Sequence, residues 1–316
     1  MKIFLTGSTG FVGANIARRL LSEGHEVHLS IRKGANTWRL QDVLPQLNIH
    51  EIDLRDYTGL CKAMKSISPE SVIHMATYGA YPRIQTDFDK IFETNMVGTV
   101  NLVRACDSVK YETFINTSSS SEYGLVRKKM SENDPPAPVN YYGATKAGAT
   151  IFCQTHTKIT GAPIVTVRLF SVFGPYEEPS RLVPSTIKHC LCNEKLEMTS
   201  GLQKRDFIYT QDIEDAYIEL MKKPEIKGEV INIGTGNQYT VREMVEAIAK
   251  ETKTGSKPVW GARESEEKPD FSWVADTSKA DSLLEWRPKH SLQMGVKKTV
   301  KWMESNLKHY SERESR

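Results

Sequence analysis

Short apolar runs alternate with longer amphipathic stretches through the first half of the chain. The runs have the length of strands and lie at residues 2–6, 26–31, 48–52, 71–75, 113–117 and 164–169, with a later one at 230–233. The stretches with helical periodicity lie at residues 12–23, 57–66, 92–109 and 141–160. Because parallel strands need helical crossovers, the pattern predicts an α/β fold with a doubly wound parallel sheet and helices on both faces.

The pattern changes after about residue 170, where proline and glycine interrupt shorter helical pieces, as at Gly174-Pro175, Pro179 and Pro184. We therefore expect residues 1–170 to form the sheet domain, with the strand at 230–233 returning to it. Residues 171–316 are expected to form a smaller mixed α/β lobe, which includes a helix near 292–307.

A glycine-rich turn joins the first predicted strand to the first helix. In such a turn, Gly7 permits a tight bend, Gly10 lets backbone amides approach a pyrophosphate, and Gly13 lets the helix lie close to the strand. The position of the turn between a strand and a helix predicts a dinucleotide-binding domain of the Rossmann type. The candidate cofactor contacts in the turn are Gly7, Thr9, Gly10, Phe11, Val12 and Gly13.

The end of the second strand bears on the identity of the dinucleotide. Enzymes that bind NAD usually carry an acid there, which accepts hydrogen bonds from the adenosine ribose. This chain has Arg32 and Lys33 instead, two cationic donors suited to the 2′-phosphate of NADP. The same two side chains also fit an ordinary solvated loop, so NAD remains the alternative cofactor.

Further cofactor contacts are expected where the third and fourth strands end. Asp53 is placed either to meet the adenine ring or to cap the helix that begins near Tyr57. The neighbouring candidates at these strand ends are Leu54, Met75 and Ala76.

A tyrosine and a lysine are spaced for joint chemistry on one helix. Tyr142 and Lys146 lie four residues apart and therefore point to the same side. An ammonium close to a phenol lowers the pKa of the phenol, which makes it a useful acid or base near neutral pH. The serine run that follows the strand at 113–117 offers a hydroxyl to polarise a substrate oxygen.

These motifs together resemble those of the extended short-chain dehydrogenase/reductase family, which comprises nucleotide-sugar epimerases, dehydratases and reductases. The resemblance covers nearly the whole chain. It rests on the glycine turn, Thr94-Asn95 with Gly98-Thr99, the serine run ending in Tyr123-Gly124, the Tyr142/Lys146 pair, Phe173-Gly174-Pro175 and Arg205-Asp206-Phe207-Ile208.

The resemblance implies roles for individual residues. Tyr142 corresponds to the general acid/base, and Lys146 corresponds to the residue that lowers its pKa and binds the cofactor ribose. Ser119, four residues before Tyr123, corresponds to the catalytic hydroxyl. Asn95 corresponds to a residue of the cofactor site that supports the backbone of the active site.

The residues after Ser119 bear on the type of reaction. The family's sugar 4,6-dehydratases carry an acid-bearing pair at the next two positions, where this chain has Ser120 and Ser121, and Glu122 comes one place too late. The NADP signature favours net reduction, and the second half resembles the CDP-abequose-type 4-ketoreductases. We therefore expect an NADPH-dependent C4 ketoreductase of a nucleotide sugar, with a nucleotide-sugar 4-epimerase that retains NAD as the alternative.

The substrate contacts expected from the resemblance are fewer. Arg205 and Arg263 correspond to arginines that bind the diphosphate, although either side chain also fits a surface salt bridge. Ser171 stands where the family commonly has asparagine, which puts the pyrophosphate contact of that position in doubt. The loop after the fourth strand offers Tyr78, with Tyr81 and Arg83, and the serine run adds Ser119 and Ser120 as contacts to the sugar.

Composition and charge restrict the class of partner. The chain of 316 residues is 39% hydrophobic and 26% charged, a balance typical of globular proteins. A net charge of +3, spread along the chain, does not suggest a nucleic-acid-binding face. With five scattered cysteines, no signal peptide and no apolar run of membrane length, we expect no metal site, no membrane contact and a cytoplasmic location. The family resemblance also implies a homodimer formed by the helices around residues 92–108 and 141–159.

Overall fold

The computed structural model describes residues 1–81, 84–254, 258–264 and 270–311. Within these ranges the strands are β1 (Lys2–Thr6), β2 (Glu26–Ile31), β3 (Asn48–Glu51), β4 (Ser71–His74), β5 (Thr113–Ser119), β6 (Ile164–Leu169), β7 (Ser171–Phe173), β8 (Leu196–Glu197), β9 (Lys204–Arg205), β10 (Phe207–Tyr209), β11 (Val230–Ile233), β12 (Tyr239–Thr240) and β13 (Pro258–Val259). The α-helices are α1 (Phe11–Ser22), α2 (Tyr57–Ile67), α3 (Phe88–Phe92), α4 (Gly98–Cys106), α5 (Tyr141–Thr160), α6 (Leu182–Leu191), α7 (Thr210–Leu220), α8 (Val241–Thr252), α9 (Ser278–Leu283), α10 (Leu292–Asn306) and α11 (Lys308–Ser311).

Seven parallel strands form the central sheet, in the order β11-β6-β5-β4-β1-β2-β3. Successive residues of the inner strands point to opposite faces, so each strand contributes to two cores. In β1, Ile3 and Leu5 pack into one core beneath α1 and α7, whereas Phe4 packs into the other beneath α2 and α4. Burial on both faces explains why these strands are continuous apolar runs in the sequence.

The predicted doubly wound sheet is confirmed, with small differences at the ends of its elements. β5 continues two residues past the predicted end at 117, so Ser119 is the last residue of the strand. The helix predicted at 92–109 begins at Phe88, where Asp87 caps its first turn by accepting a hydrogen bond from the Lys90 amide. A π-helical turn, Glu93–Val97, interrupts this helix before α4.

Part of the chain after residue 170 returns to the sheet domain. Besides β11, helix α7 contributes Ile213 and Tyr217 to the core beneath α1, and Leu284 follows α9 into the same core. The smaller lobe has its own core, in which α6, α8 and α10 pack around Phe173 and Phe207. This arrangement puts the carboxyl ends of the sheet strands against the smaller lobe.

Two features of other protein classes are absent from the described residues. None of their helices has the length and apolar character needed to span a bilayer. They also contain no group of three or more His, Cys, Asp or Glu side chains arranged to hold a metal ion.

Candidate functional site

A cleft of about 980 Å³ lies between the carboxyl ends of the sheet strands and the smaller lobe. Most of the residues expected from the sequence to bind cofactor or substrate line it. They are Gly7, Thr9, Gly10, Phe11, Val12, Gly13, Arg32, Asp53, Leu54, Met75, Ala76, Tyr78, Ser119, Ser120, Tyr142, Lys146, Ser171 and Arg205.

The glycine-rich turn forms one wall of the cleft and has no room for side chains at two positions. Gly7 has φ +75°, and a Cβ atom there would lie 2.5 Å from the backbone carbon of Met75. A Cβ atom on Gly13 would lie 2.3 Å from the Gly7 carbonyl oxygen. The start of α1 therefore packs closely against the ends of the strands. The backbone amides of its first turn have no partner within the helix and can bind a pyrophosphate. The turn fits a dinucleotide.

A side pocket of about 450 Å³ opens at the ends of β2 and β3. Arg32 and Lys33 line it and are exposed. Asp53 lines the same pocket. It forms an ion pair with Arg55, in which a guanidinium nitrogen lies 2.8 Å from the carboxylate, and this contact lowers the pKa of Asp53. Asp56, not Asp53, caps α2, because its carboxylate accepts the Gly59 amide at 2.9 Å. Of the two roles considered for Asp53, capping is thus wrong.

Tyr142 and Lys146 lie side by side on α5, both on the cleft. Lys146 is 3% exposed, and its Nζ donates to the Thr117 carbonyl at 2.7 Å. Burial lowers the pKa of Lys146 to about 8, and the carboxylate of Glu122 opposes that change. Burial also raises the pKa of Tyr142. Hydrogen bonds with the hydroxyls of Ser119 and Thr77 act to lower this pKa. The pairing with Lys146 predicts a lowered pKa for Tyr142, whereas burial outweighs the groups that lower this pKa and leaves it raised.

The serine run connects the two walls of the cleft. Ser119 accepts a hydrogen bond from the Ser121 amide at 3.1 Å, which fixes its hydroxyl at the end of β5. Ser120 accepts a hydrogen bond at 3.0 Å from the indole nitrogen of Trp273, in the second half of the chain. The guanidinium carbon of Arg205 lies 5.0 Å from the centre of the Trp273 ring. Arg205 is thus held beside the serine run.

Glu122 is buried beneath the cleft and does not reach it. Its carboxylate accepts hydrogen bonds from Arg168 at 2.7 Å, from Thr150 at 2.6 Å and from the hydroxyl of Ser118. These contacts tie β5, α5 and β6 together next to Lys146. Glu122 therefore stands one residue after the position that the dehydratase pattern requires. Its carboxylate stabilises the interior of the protein and is not available to a substrate.

Asn95 supports the cleft from behind and does not line it. Its Oδ1 accepts from the amide of Tyr78 at 2.8 Å, and its Nδ2 donates to the carbonyl of Tyr78 at 2.8 Å and to Thr145 at 3.0 Å. These bonds occupy both ends of the amide. The π-helical turn places Asn95 between the loop after β4 and helix α5, in agreement with the supporting role.

One expected substrate residue is not brought to the cleft. Arg263 is exposed, does not line the cleft, and its backbone amide donates to the carbonyl of Met198. Arg83 lies outside the described residues. Lys33 lines the side pocket at the end of β2 but not the main cleft.

Other residues on the cleft were not singled out from the sequence. Glu177 and Arg181, after the Gly174-Pro175 turn, line it together with Arg39 and Trp273. Their only sequence signal is the position of Glu177 and Arg181 just after the Phe173-Gly174-Pro175 motif. Neither periodicity nor spacing predicts that these charged side chains turn inward.

Comparison with known proteins identifies related folds and activities. Residues 3–234 match the model of the NAD dependent epimerase/dehydratase family. A UDP-glucose 4-epimerase from Lactobacillus helveticus is 27% identical over 99% of this chain and 100% of its own length. A CDP-abequose synthase from Salmonella muenchen is 27% identical over 96% of this chain and 98% of its own length. The crystal structure of a UDP-glucuronic acid 4-epimerase from Bacillus cereus, in complex with UDP-glucuronic acid and NAD, has a TM-score of 0.86 at 28% identity, covering 97% of this chain and 100% of that one.

Proposed function

The chain belongs to the NAD-dependent epimerase/dehydratase family, and from that premise we propose that it reduces the C4 keto group of a nucleotide-linked 4-keto-6-deoxysugar with NADPH. The observation that carries the choice of reduction is the side pocket at the end of β2. Arg32 and Lys33 line that pocket, and no acid ends the strand, which suits a 2′-phosphate. A cofactor that carries this phosphate favours a dissociable electron donor.

Each of three residues on the cleft has a separate role in the proposed reaction. Ser119 polarises the C4 oxygen of the sugar, and Tyr142 donates a proton to it. NADPH supplies the hydride that C4 accepts. Lys146 holds the cofactor ribose, and its ammonium stabilises the phenolate that Tyr142 leaves behind.

The cofactor is held along the carboxyl ends of the strands. Amides of the glycine turn bind its pyrophosphate, and Asp53 and Leu54 flank the adenine. Met75 and Ala76 lie where the chain passes Gly7, between the adenine end and the reacting centre. Arg205 binds the diphosphate of the substrate, with Ser171 beside it and Tyr78 against the sugar. Arg263 joins them only if its loop moves.

A nucleotide-sugar 4-epimerase with tightly bound NAD is the second candidate. It is supported by the UDP-glucose 4-epimerase, which is 27% identical to this chain, as is the CDP-abequose synthase. The same three residues, Ser119, Tyr142 and Lys146, serve either reaction. The two functions differ in whether the cofactor leaves after each turnover.

We also propose that the enzyme is a cytoplasmic homodimer with an NADP-binding part and a substrate lobe. The dimer rests on α4 and α5, where Ile151 is 53% exposed and Ile159 is 77% exposed. Exposed isoleucines on one helix suit a face covered by a second copy. The lobe is formed chiefly by α6, α8 and α10.

The cofactor content of the purified protein tests the proposal. The protein is denatured and any released dinucleotide is identified, and native protein is then assayed with NADPH and 4-keto-6-deoxyglucose linked to UDP, CDP, dTDP or GDP. We expect little retained NAD and consumption of NADPH with one of these substrates. Tightly retained NAD, no consumption of NADPH, and interconversion of C4 epimers would establish the epimerase instead.

A further inference from the structure

Glu177 lines the cleft and carries a buried carboxylate oxygen without a hydrogen-bond partner among the described residues. The residue is 5% exposed, and the oxygen is its Oε2. Its nearest opposite charge is Arg181, with 3.9 Å between the Arg181 Nε and the Glu177 Oε1. Buried polar groups are almost always hydrogen-bonded, so a lone carboxylate oxygen on a binding surface points to a missing ligand group.

The Glu177 carboxyl has contacts within the fold, from the Gly174 amide and from Arg181, but its Oε2 has no hydrogen-bond partner among the described residues. The backbone amide of Glu177 donates to Gly174, and its carbonyl accepts from the Tyr310 hydroxyl at 3.1 Å. The neighbouring Glu178 makes the structural ion pair, in which its carboxylate accepts from Arg39 at 3.0 Å. Glu178 thus stabilises the protein through an ion pair, whereas the Oε2 atom of Glu177 has no such partner.

Glu177 belongs to a cluster on the cleft next to the loop after β4. The guanidinium carbon of Arg181 lies 5.6 Å from the centre of the Tyr81 ring, in that loop. The same loop carries Tyr78, and all four residues line the cleft. The cluster formed by Glu177, Arg181 and Tyr81 therefore lies beside the residue proposed to contact the sugar.

The chemistry of the cluster suits a neutral polar ligand. Burial raises the pKa of Glu177 to about 8, so its carboxyl is protonated at neutral pH and both donates and accepts hydrogen bonds. A sugar hydroxyl needs one partner of each kind. A phosphate would instead be repelled as soon as the carboxyl ionised.

We propose that Glu177 binds a ring hydroxyl of the sugar and so contributes to the selection of the substrate, an inference that rests on the proposed function. Glu177 contributes to the affinity for the sugar and does not contact the reacting atoms. Arg181 and Tyr81 pack next to it. The alternative ligand is the cofactor, which the experiment separates from the sugar.

The test compares how tightly the protein binds a nucleotide with and without its sugar. Wild type, Glu177→Ala and Glu177→Gln, each saturated with NADP+, are titrated calorimetrically with UDP, CDP, dTDP and GDP and with the glucose ester of each. Glucose shares its C2 and C3 hydroxyls with the 4-keto-6-deoxy derivative. The Kd of NADP+ is measured separately for each variant.

For the nucleotide that wild type prefers, Glu177→Ala should bind the sugar ester about tenfold more weakly, since a hydrogen bond within a buried site is lost. The Kd values of the bare nucleotide and of NADP+ should stay within twofold, and Glu177→Gln should restore most of the loss. An unchanged Kd for the sugar ester in Glu177→Ala, or an equal rise in the Kd of NADP+, would overturn the inference. If wild type binds none of the nucleotides, the proposed function itself fails, and the inference with it.

Discussion

Tyr142 is half-buried on the cleft, where its proton is needed. Burial raises its pKa, and the hydroxyls of Ser119 and Thr77 pull the pKa back. A proton donor in the transition state contributes about a hundred- to ten-thousandfold to a rate. The site therefore depends on one phenol that its surroundings keep protonated.

Replacing Tyr142 by Phe should lower kcat by at least about a thousandfold, because the ring remains and only the proton donor is removed. The Kd of NADPH, measured by fluorescence, should change less than twofold. Tyr57→Phe, on α2 away from the cleft, serves as the matched control and should keep full activity. Substantial turnover by Tyr142→Phe would remove its role as the acid.

The pair formed by Glu122 and Arg168 is fully enclosed, with side chains 0% and 4% exposed. Removing one member of a buried ion pair costs about 3–5 kcal/mol, because the other charge is left without its partner. Glu122→Gln should therefore lower the free energy of unfolding in urea by that amount. Glu122→Gln combined with Arg168→Met should cost less than the sum of the single variants. Additive costs would show that the two side chains are not coupled.

At the scale of elements, the ends of the strands determine what each part of the cleft binds. β2 ends in Ile31, and the chain then turns Arg32 and Lys33 into the side pocket. Each bond from an exposed cation to a phosphate contributes about 1 kcal/mol, because solvent screens the charges. The proposed preference for NADP thus depends on two side chains that follow a single strand.

Replacing both Arg32 and Lys33 by Ala should raise the KM for NADPH by about ten- to a hundredfold, because two contacts to the 2′-phosphate are lost. The KM for NADH, which lacks that phosphate, should change by less than threefold. Steady-state kinetics with both cofactors measures the difference. Equal increases for the two cofactors would argue against a phosphate site at β2.

The elements were more predictable than the side chains that complete the cleft. The inner strands are buried on both faces, so they appear in the sequence as apolar runs, and β1, β2, β6 and β11 match their predicted ranges. The π-helical turn Glu93–Val97 keeps the apolar spacing of a helix and could not be distinguished from one. Glu177 could not be foreseen, because its burial depends on contacts with distant parts of the chain such as Tyr310.

At the scale of the whole molecule, α4 and α5 form an outer face of the sheet domain. Gly148 of α5 lets the π-helical turn before α4 approach, since a Cβ atom there would lie 3.2 Å from the sulfur of Met96. Ile151 and Ile159, on the outer side of α5, contact no core and are exposed. A second copy of the chain would remove them from water.

Ile151→Glu should convert the proposed dimer into a monomer, because burying two unpaired carboxylates at a symmetric face is unfavourable. Sedimentation equilibrium at micromolar protein should give the mass of one chain, against that of two chains for wild type. Met294→Glu, which adds the same charge at an exposed site on α10, should remain a dimer. A monomeric wild type would refute the dimer outright.

The fate of the hydride tests the central claim most directly. NADPH that carries deuterium at both C4 positions of its nicotinamide is incubated with the protein and the nucleotide-linked 4-keto-6-deoxyglucose that it accepts. The product is then analysed by mass spectrometry and NMR. A reductase should place one deuterium at C4 of the sugar for each NADP+ formed. Product without deuterium, together with exchange between C4 epimers on a retained NAD, would contradict the reductase and identify an epimerase.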